Sequence, residues 1–182
     1  MGGPGDPAWA AAVIMRGRRT TEQAVLIGAA TGAYVPGLLA LRIGPLLSDV
    51  ICRLPVRPDV VLIDATGRDH PRRAGLAVHL GAMLDLPSVG ITHRPLLASG
   101  EWPDDLVNAS APLFLNGETV GYWLRTRSGR RPVAVHAGWR TDAETALGIV
   151  LACKGGKRTP APLREARRLA RRSRGGSAAS GS

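Results

Sequence analysis

Residues 58–92 read PDVVLIDATGRDHPRRAGLAVHLGAMLDLPSVGIT. Pro58-Asp59 introduces a continuous apolar run, 60–64, that ends in an acid, Asp64. A short run without polar alternation predicts a strand buried on both faces, as in a parallel sheet. Residues 67–73 read as a loop and 74–84 as a helix, and Pro87 precedes a second buried strand at 88–92. Strand, helix and strand make a βαβ unit, which implies a parallel pair with a right-handed crossover.

Working outward, residues 9–15 and 22–29 are β-compatible runs around 16–21, the pattern of an antiparallel hairpin. Residues 32–37 (GAYVPG) form a turn, and Pro45 is predicted to open a helix reaching about Leu54. Leu46, Leu47, Val50, Ile51 and Leu54 give that helix its apolar period. On the other side, 95–113 looks irregular, Asn116-Gly117 signals a turn, and strands are predicted at 119–127 and 132–137. Thr141 with Glu144 reads as a capping box for a helix that Gly155-Gly156 stops. A basic helix at 160–172 comes last, before a Gly/Ser-rich end at 175–182. The order predicts an α/β chain: a mixed sheet flanked by helices, one domain over 8–173, with flexible termini at 1–7 and 174–182.

The chain has 182 residues, with 24 Lys+Arg against 14 Asp+Glu, for a net charge of +10. That length suffices for one buried core. The longest apolar run, near 146–153, is roughly half a membrane span, which excludes a bilayer-spanning helix. The start lacks the basic and apolar regions of a secretory signal. Two cysteines, Cys52 and Cys153, are too few for a disulfide framework, so a reduced, cytoplasmic protein is expected. Residues 154–182 alone carry a charge of +8. Such a segment either engages phosphates or forms a solvated helix face, and composition leaves both open.

The sequence contains no GxxxxGK[ST], CxxC, HExxH or GxSxG, so phosphate-loop, zinc-finger and serine-hydrolase chemistries lack their motifs. Asp64 stands where α/β folds place catalytic groups, at the carboxyl end of a strand, though a capping role fits the same position. The loop after it gathers His70 with Arg68, Arg72 and Arg73, either facing phosphate or lying on a solvated surface. Tyr34-Val35-Pro36-Gly37 is either a plain turn or a stacking wedge for bases.

Taken together, the blocks YVPGLLALR (34–42), the 58–92 stretch and RPVAVHAGWRTDAETAL (131–147) resemble the endonuclease V family, with a likeness running from about Trp9 to Ala170. The resemblance implies a ribonuclease H-like fold and dependence on Mg²⁺ or Mn²⁺. It also implies recognition of deoxyinosine in DNA or inosine in RNA, with cleavage at the second phosphodiester bond on the 3′ side. In that family acidic residues hold metals that activate water, and a pocket takes the flipped base. Carried over, Asp64 matches a metal-binding and catalytic Asp. Tyr34, Val35 and Pro36 match a wedge, and Arg42 matches an Arg beside a catalytic Glu. His70 matches the His of the HP dipeptide, with Arg72 and Arg73 as its neighbours.

The sequence departs from the pattern at the chemistry. Ile43 stands where the resemblance expects the metal-binding Glu, His93 where it expects a catalytic Lys, and Trp139 where Gly138-Trp139-Arg140 should carry a His. Arg140 keeps a position that suits nucleic-acid binding. The family's first strand, with a further Asp, lies upstream of the hairpin and has no counterpart in these residues. The expectation is therefore an endonuclease V-like protein that binds DNA or RNA and in which cleavage is impaired. Asp64 would be the one metal-binding carboxylate and would bind Mg²⁺ or Mn²⁺ weakly. Alternatives are an active nuclease with a rearranged site, for instance His70, His93 and His136 with Asp64 around a softer metal, and a partner-binding scaffold using the hairpin edge.

Overall fold

The computed structural model describes residues 3–33, 35 and 37–179. Two compact units emerge, residues 1–58 with 162–182, and residues 59–161. In the first, β1 (Pro7–Arg16) and β2 (Arg19–Ala29) pair antiparallel as a two-stranded sheet, turning tightly through Gly17. Helix α1 (Leu39–Cys52) packs on this hairpin. Small side chains at Ala10 and Ala12 meet Val50, with Leu46, Leu47 and Ile51 closing over them.

Helix α1 starts six residues earlier than Pro45, which lies inside it. Proline lacks the N–H that would bond the carbonyl of Leu41. Thr31 supplies the missing donor: its hydroxyl reaches Leu41 O at 2.5 Å and its backbone N–H reaches Arg42 O at 3.0 Å. A tertiary contact thus repairs the break that local sequence predicts.

The second unit holds β3 (Val61–Ile63), α2 (Leu76–Leu84), β4 (Ser88–Thr92), β5 (Ser110–Leu115), β6 (Glu118–Leu124), β7 (Val133–Ala137) and α3 (Ala143–Cys153). Its five-stranded sheet runs β3-β4-β7-β6-β5. The pair β3–β4 is parallel, as the 58–92 stretch predicts, and the other pairs are antiparallel. This mixed sheet with helices is the expected fold class. Strand β7 is buried at every position, which is why its sequence shows no alternation.

Strand β5 replaces the end of the segment expected to be irregular. Pro112 weakens its strand signal but is tolerated because β5 is the last strand of the sheet. Asn116 and Gly117 both adopt positive φ, 54° and 81°, as a two-residue hairpin turn requires. The cap of α3 sits one residue beyond the expected one: Asp142 accepts the Thr145 N–H at 2.6 Å. Thr141 is engaged elsewhere, donating to Ser88 O at 2.7 Å.

Helix α4 (Ala161–Ala179) completes the first unit and continues past Arg172 into the Gly-rich stretch. Arg174 lies over the Trp9 ring, 5.5 Å from its centroid. Among the described residues, no helix is long and apolar enough to cross a membrane.

Candidate functional site

Asp64 and the arginine loop lie at the carboxyl ends of the parallel strands. Asp64 follows β3 directly and is exposed. The chain then folds back against its neighbours. A Cβ on Gly67 would stand 2.0 Å from Ala137 O, and one on Gly75 would stand 2.4 Å from Thr66 O. Only glycine permits so close a threading of backbone on backbone. Arg68 N–H donates to Ala137 O at 2.9 Å, tying the loop to β7.

Asp69 is completely buried. Its carboxylate accepts the backbone N–H groups of Leu96, Leu97 and Ala98 at 2.5, 2.8 and 2.7 Å. One side chain therefore pins the segment that follows β4 to the loop that follows β3. Beside it lies His136 of β7, also fully buried, with Nδ1 3.8 Å from Asp69 Oδ2 and Nε2 2.8 Å from Thr92 Oγ1. The Thr92 hydroxyl donates its one hydrogen to Arg94 O at 2.7 Å. That assigns the proton of the neutral ring to Nε2, donating into Thr92. Nδ1 is left buried without a hydrogen-bond partner. Burial pushes the His136 pKa down to about 4, and the nearby Asp69 charge opposes that shift without cancelling it.

The remaining loop residues separate into engaged and exposed groups. His70 is buried, and its Nδ1 accepts the Arg72 N–H at 3.2 Å. Arg72 has an exposed side chain. Arg73 takes a positive φ of 55° and donates to Leu115 O at 3.2 Å while pairing with Glu118 at 3.1 Å. Arg140 pairs with Asp85 at 2.7 Å. Ser88 fixes the turn before Arg140: its Oγ accepts the Trp139 N–H at 2.9 Å and donates to Ala77 O at 2.7 Å. Trp139 lies against α2, where a Cβ on Gly81 would come within 2.5 Å of its own. His93 is exposed, with its ring 3.2 Å from the Thr159 hydroxyl.

In the first unit Val35 is exposed, whereas Tyr34 and Pro36 lie outside the described residues. The Arg42 guanidinium is largely buried and bonded internally, to Gly32 O at 2.5 Å and to Asp6 at 3.2 Å. Ile43 lies half-buried on α1.

The family model described as Endonuclease V matches residues 3–168. The chain belongs to the endonuclease V family. An Endonuclease V from Roseiflexus sp. (strain RS-1) is 41% identical over 168 residues, spanning 91% of this chain and 76% of that protein. The crystal structure of the Streptomyces avermitilis Endonuclease V superposes with a TM-score of 0.82 at 32% identity, covering 97% of this chain and 85% of that one. The Ciona intestinalis Endonuclease V, solved in complex with a 24mer DNA containing an inosine followed by a ribo-adenosine, shares the fold with a TM-score of 0.77 at 20% identity, covering 92% and 79%.

Against the endonuclease V pattern, the donor set for a divalent metal is thin. Mg²⁺ and Mn²⁺ want several oxygen ligands. Asp64 offers one exposed carboxylate, and Ile43 offers none. Among the described residues, no group of three or more His, Cys, Asp or Glu is placed to hold a metal ion. The His₃Asp arrangement raised by the sequence is not assembled either. His136 is enclosed between Asp69 and Thr92, the His70 Nδ1 is occupied by Arg72 N–H, and the His93 ring is at Thr159. The residues present do not fit a tightly bound cation. Sequence reading missed Asp69, Thr92, Ser88 and Thr141. The available signal was His136, a titratable residue inside the apolar run PVAVHA, which needs polar partners from elsewhere in the fold.

Proposed function

We propose that the chain binds inosine- or deoxyinosine-containing nucleic acid, as its family does, and that its metal-dependent cleavage is impaired. The observation that carries this reading is Ile43, an apolar side chain at the position where the family's pattern has a metal-binding Glu, while Asp64 is the single carboxylate carried over. Mg²⁺ or Mn²⁺ would be held weakly by that one group. The DNA-bound Ciona protein of the same fold supports nucleic acid as the ligand. So do the exposed guanidiniums of Arg68 and Arg72 beside Asp64. Arg73 and Arg140 belong to the same surface but are restrained by Glu118 and Asp85. The wedge role of Tyr34, Val35 and Pro36 and a catalytic role for His70 and His93 are parts of this proposal.

The test is incubation with inosine-containing and control oligonucleotides, as DNA and as RNA, in Mg²⁺, Mn²⁺ or chelator, reading both binding and strand scission. Preferential binding of the inosine strands, with little or no cleavage, is expected. Efficient scission one bond beyond the inosine would show the active-nuclease alternative to be right, and absence of binding at low salt would refute both.

A further inference from the structure

A cavity of about 560 Å³ opens in the second unit where the segments flanking β4, β6 and β7 meet. Its walls include His93, Arg94, Trp102, Trp123, Arg131 and Arg158, with no acidic residue among the lining groups. Arg158 is fixed in place, donating from Nε to Arg131 O at 2.8 Å and from its terminal nitrogen to Pro132 O at 3.1 Å. Burial, and then the charge of Arg131, disfavour its protonated form. Among the described residues neither Arg94 nor Arg131 has an acidic partner within ion-pair distance. Three other guanidiniums of this unit do have acidic partners: Arg73 with Glu118, Arg125 with Asp105, Arg140 with Asp85. The cavity thus gathers like charges without a counter-charge, an arrangement that an anion stabilises.

The aromatic half is equally specific. Trp123 is buried and anchored, its Nε1–H donating to Gly100 O at 3.1 Å. Trp102 packs on it edge-to-face, with centroids 6.3 Å apart at 77°. Trp102 nevertheless stays 53% exposed, leaving an amphipathic ring surface open beside its neighbour. A bare phosphate would use the guanidiniums and leave Trp102 and most of the cavity unused. A planar base joined to a phosphate would use both, because bases stack on aromatic side chains while Arg takes phosphate oxygens. The volume falls within the ~300–1,000 Å³ typical of small-ligand pockets.

We propose that this cavity is a nucleotide subsite, with the base on Trp102 and the phosphate on Arg94 and Arg131, beside the internally bonded Arg158. It rests on neither inosine recognition nor Asp64. The nucleotide comes either free in solution or as one unit of a single strand. Titrations of the intact chain with adenosine 5′-monophosphate, adenosine, inorganic phosphate and an inosine-free single-stranded decamer separate these sources. The variants are Trp102→Ala and Arg131→Ala, both at exposed positions, with Trp102→Phe and Arg131→Lys as conservative controls and circular dichroism to verify folding. Binding of the monophosphate at least tenfold tighter than either fragment, and weakened at least fivefold by each alanine variant, supports a free-nucleotide site. The same weakening seen only with the decamer supports a strand subsite. Monophosphate and decamer binding that ignores both alanine variants, or no binding of either at low salt, overturns the proposal. The inosine preference of the parent chain is read separately, so loss of one reading leaves the other standing.

Discussion

His136 makes acid sensitivity calculable. Its folded-state pKa of about 4 lies below the ordinary value of 6.5, because burial outweighs the attraction of Asp69. Between those values the unfolded chain binds a proton at this ring that the folded chain does not. Stability from this residue is therefore present above pH 6.5, declines as pH falls through the window, and is gone below about 4. The full difference corresponds to roughly 3 kcal/mol, most of which is already lost at pH 4.5. In a chain of this size that is a shift of roughly 5–10 °C in the thermal midpoint. The perturbation is His136→Gln, which keeps an amide beside Thr92 and Asp69 and cannot titrate. Urea unfolding of both proteins at pH 7.5 and 4.5, followed by far-UV circular dichroism, gives the double difference, in which the other titrating groups largely cancel. The wild type should lose roughly 2–3 kcal/mol more than the variant on acidification. Equal losses would mean that burial and the Asp69 charge cancel, and a relative gain by the wild type that Asp69 holds the ring protonated; either result refutes the burial argument.

Asp69→Ala removes the acceptor of three buried or half-buried backbone N–H groups. It should cost about 3 kcal/mol or more in urea unfolding, and a cost below about 1 kcal/mol would show that water replaces the carboxylate. Thr31→Val deletes the hydroxyl that serves the Leu41 carbonyl opposite Pro45. A loss of about 0.5–1 kcal/mol is expected, with faster hydrogen exchange in the first turns of α1 as the localising measurement. Asp64→Asn takes a negative charge from an exposed position between β3 and the arginine loop. Affinity for oligonucleotides in Mg²⁺ should stay equal or rise up to about threefold. Loss of a metal-dependent cleavage activity in this variant would contradict the impaired-site reading.

The βαβ unit was legible because both strands carry short unbroken apolar runs and its punctuation is local, at Pro58, Gly75 and Pro87; β4 is buried as such a run predicts, whereas β3, at the sheet edge, is only half-buried at Val61 and Leu62. The hairpin turn at Asn116-Gly117 was legible for the same reason, since positive φ at adjacent residues selects that dipeptide. The start of α1 was not, because a proline reads locally as a helix opening and its repair comes from Thr31, distant in sequence. The cap of α3 was displaced by one residue because Thr141 is drawn to Ser88, 53 positions away. At the site, Asp64 and its cationic loop follow from motif reading. The Asp69–His136–Thr92 contacts do not, since they join three separate segments and no spacing rule connects them.

The arginines show why composition alone misplaces function. An Arg-rich chain with a net charge of +10 invites a uniform reading as a phosphate binder. Much of that charge is structural. Arg125 is buried, with its guanidinium donating to the carbonyls of Pro103, Asp104 and Arg130, a cross-link between loops. Arg42 clamps the residues before β1 to the turn after β2, and Arg174 covers Trp9. A guanidinium whose donors are satisfied internally must break those bonds to meet a phosphate, so its net contribution to affinity is small. The groups that meet a phosphate without that loss are Arg68 and Arg72 at the carboxyl end of β3, and Arg94 and Arg131 at the tryptophan cavity. What the two proposed places share, among the described residues, is guanidiniums free of internal carbonyl bonds, rather than the total number of cations; they differ in counter-charge, since Arg68 feels the charge of Asp142 whereas no acid lines the tryptophan cavity. The carboxyl ends of adjacent parallel strands are where such groups can be used, because the loops leaving them bring separate segments to one surface.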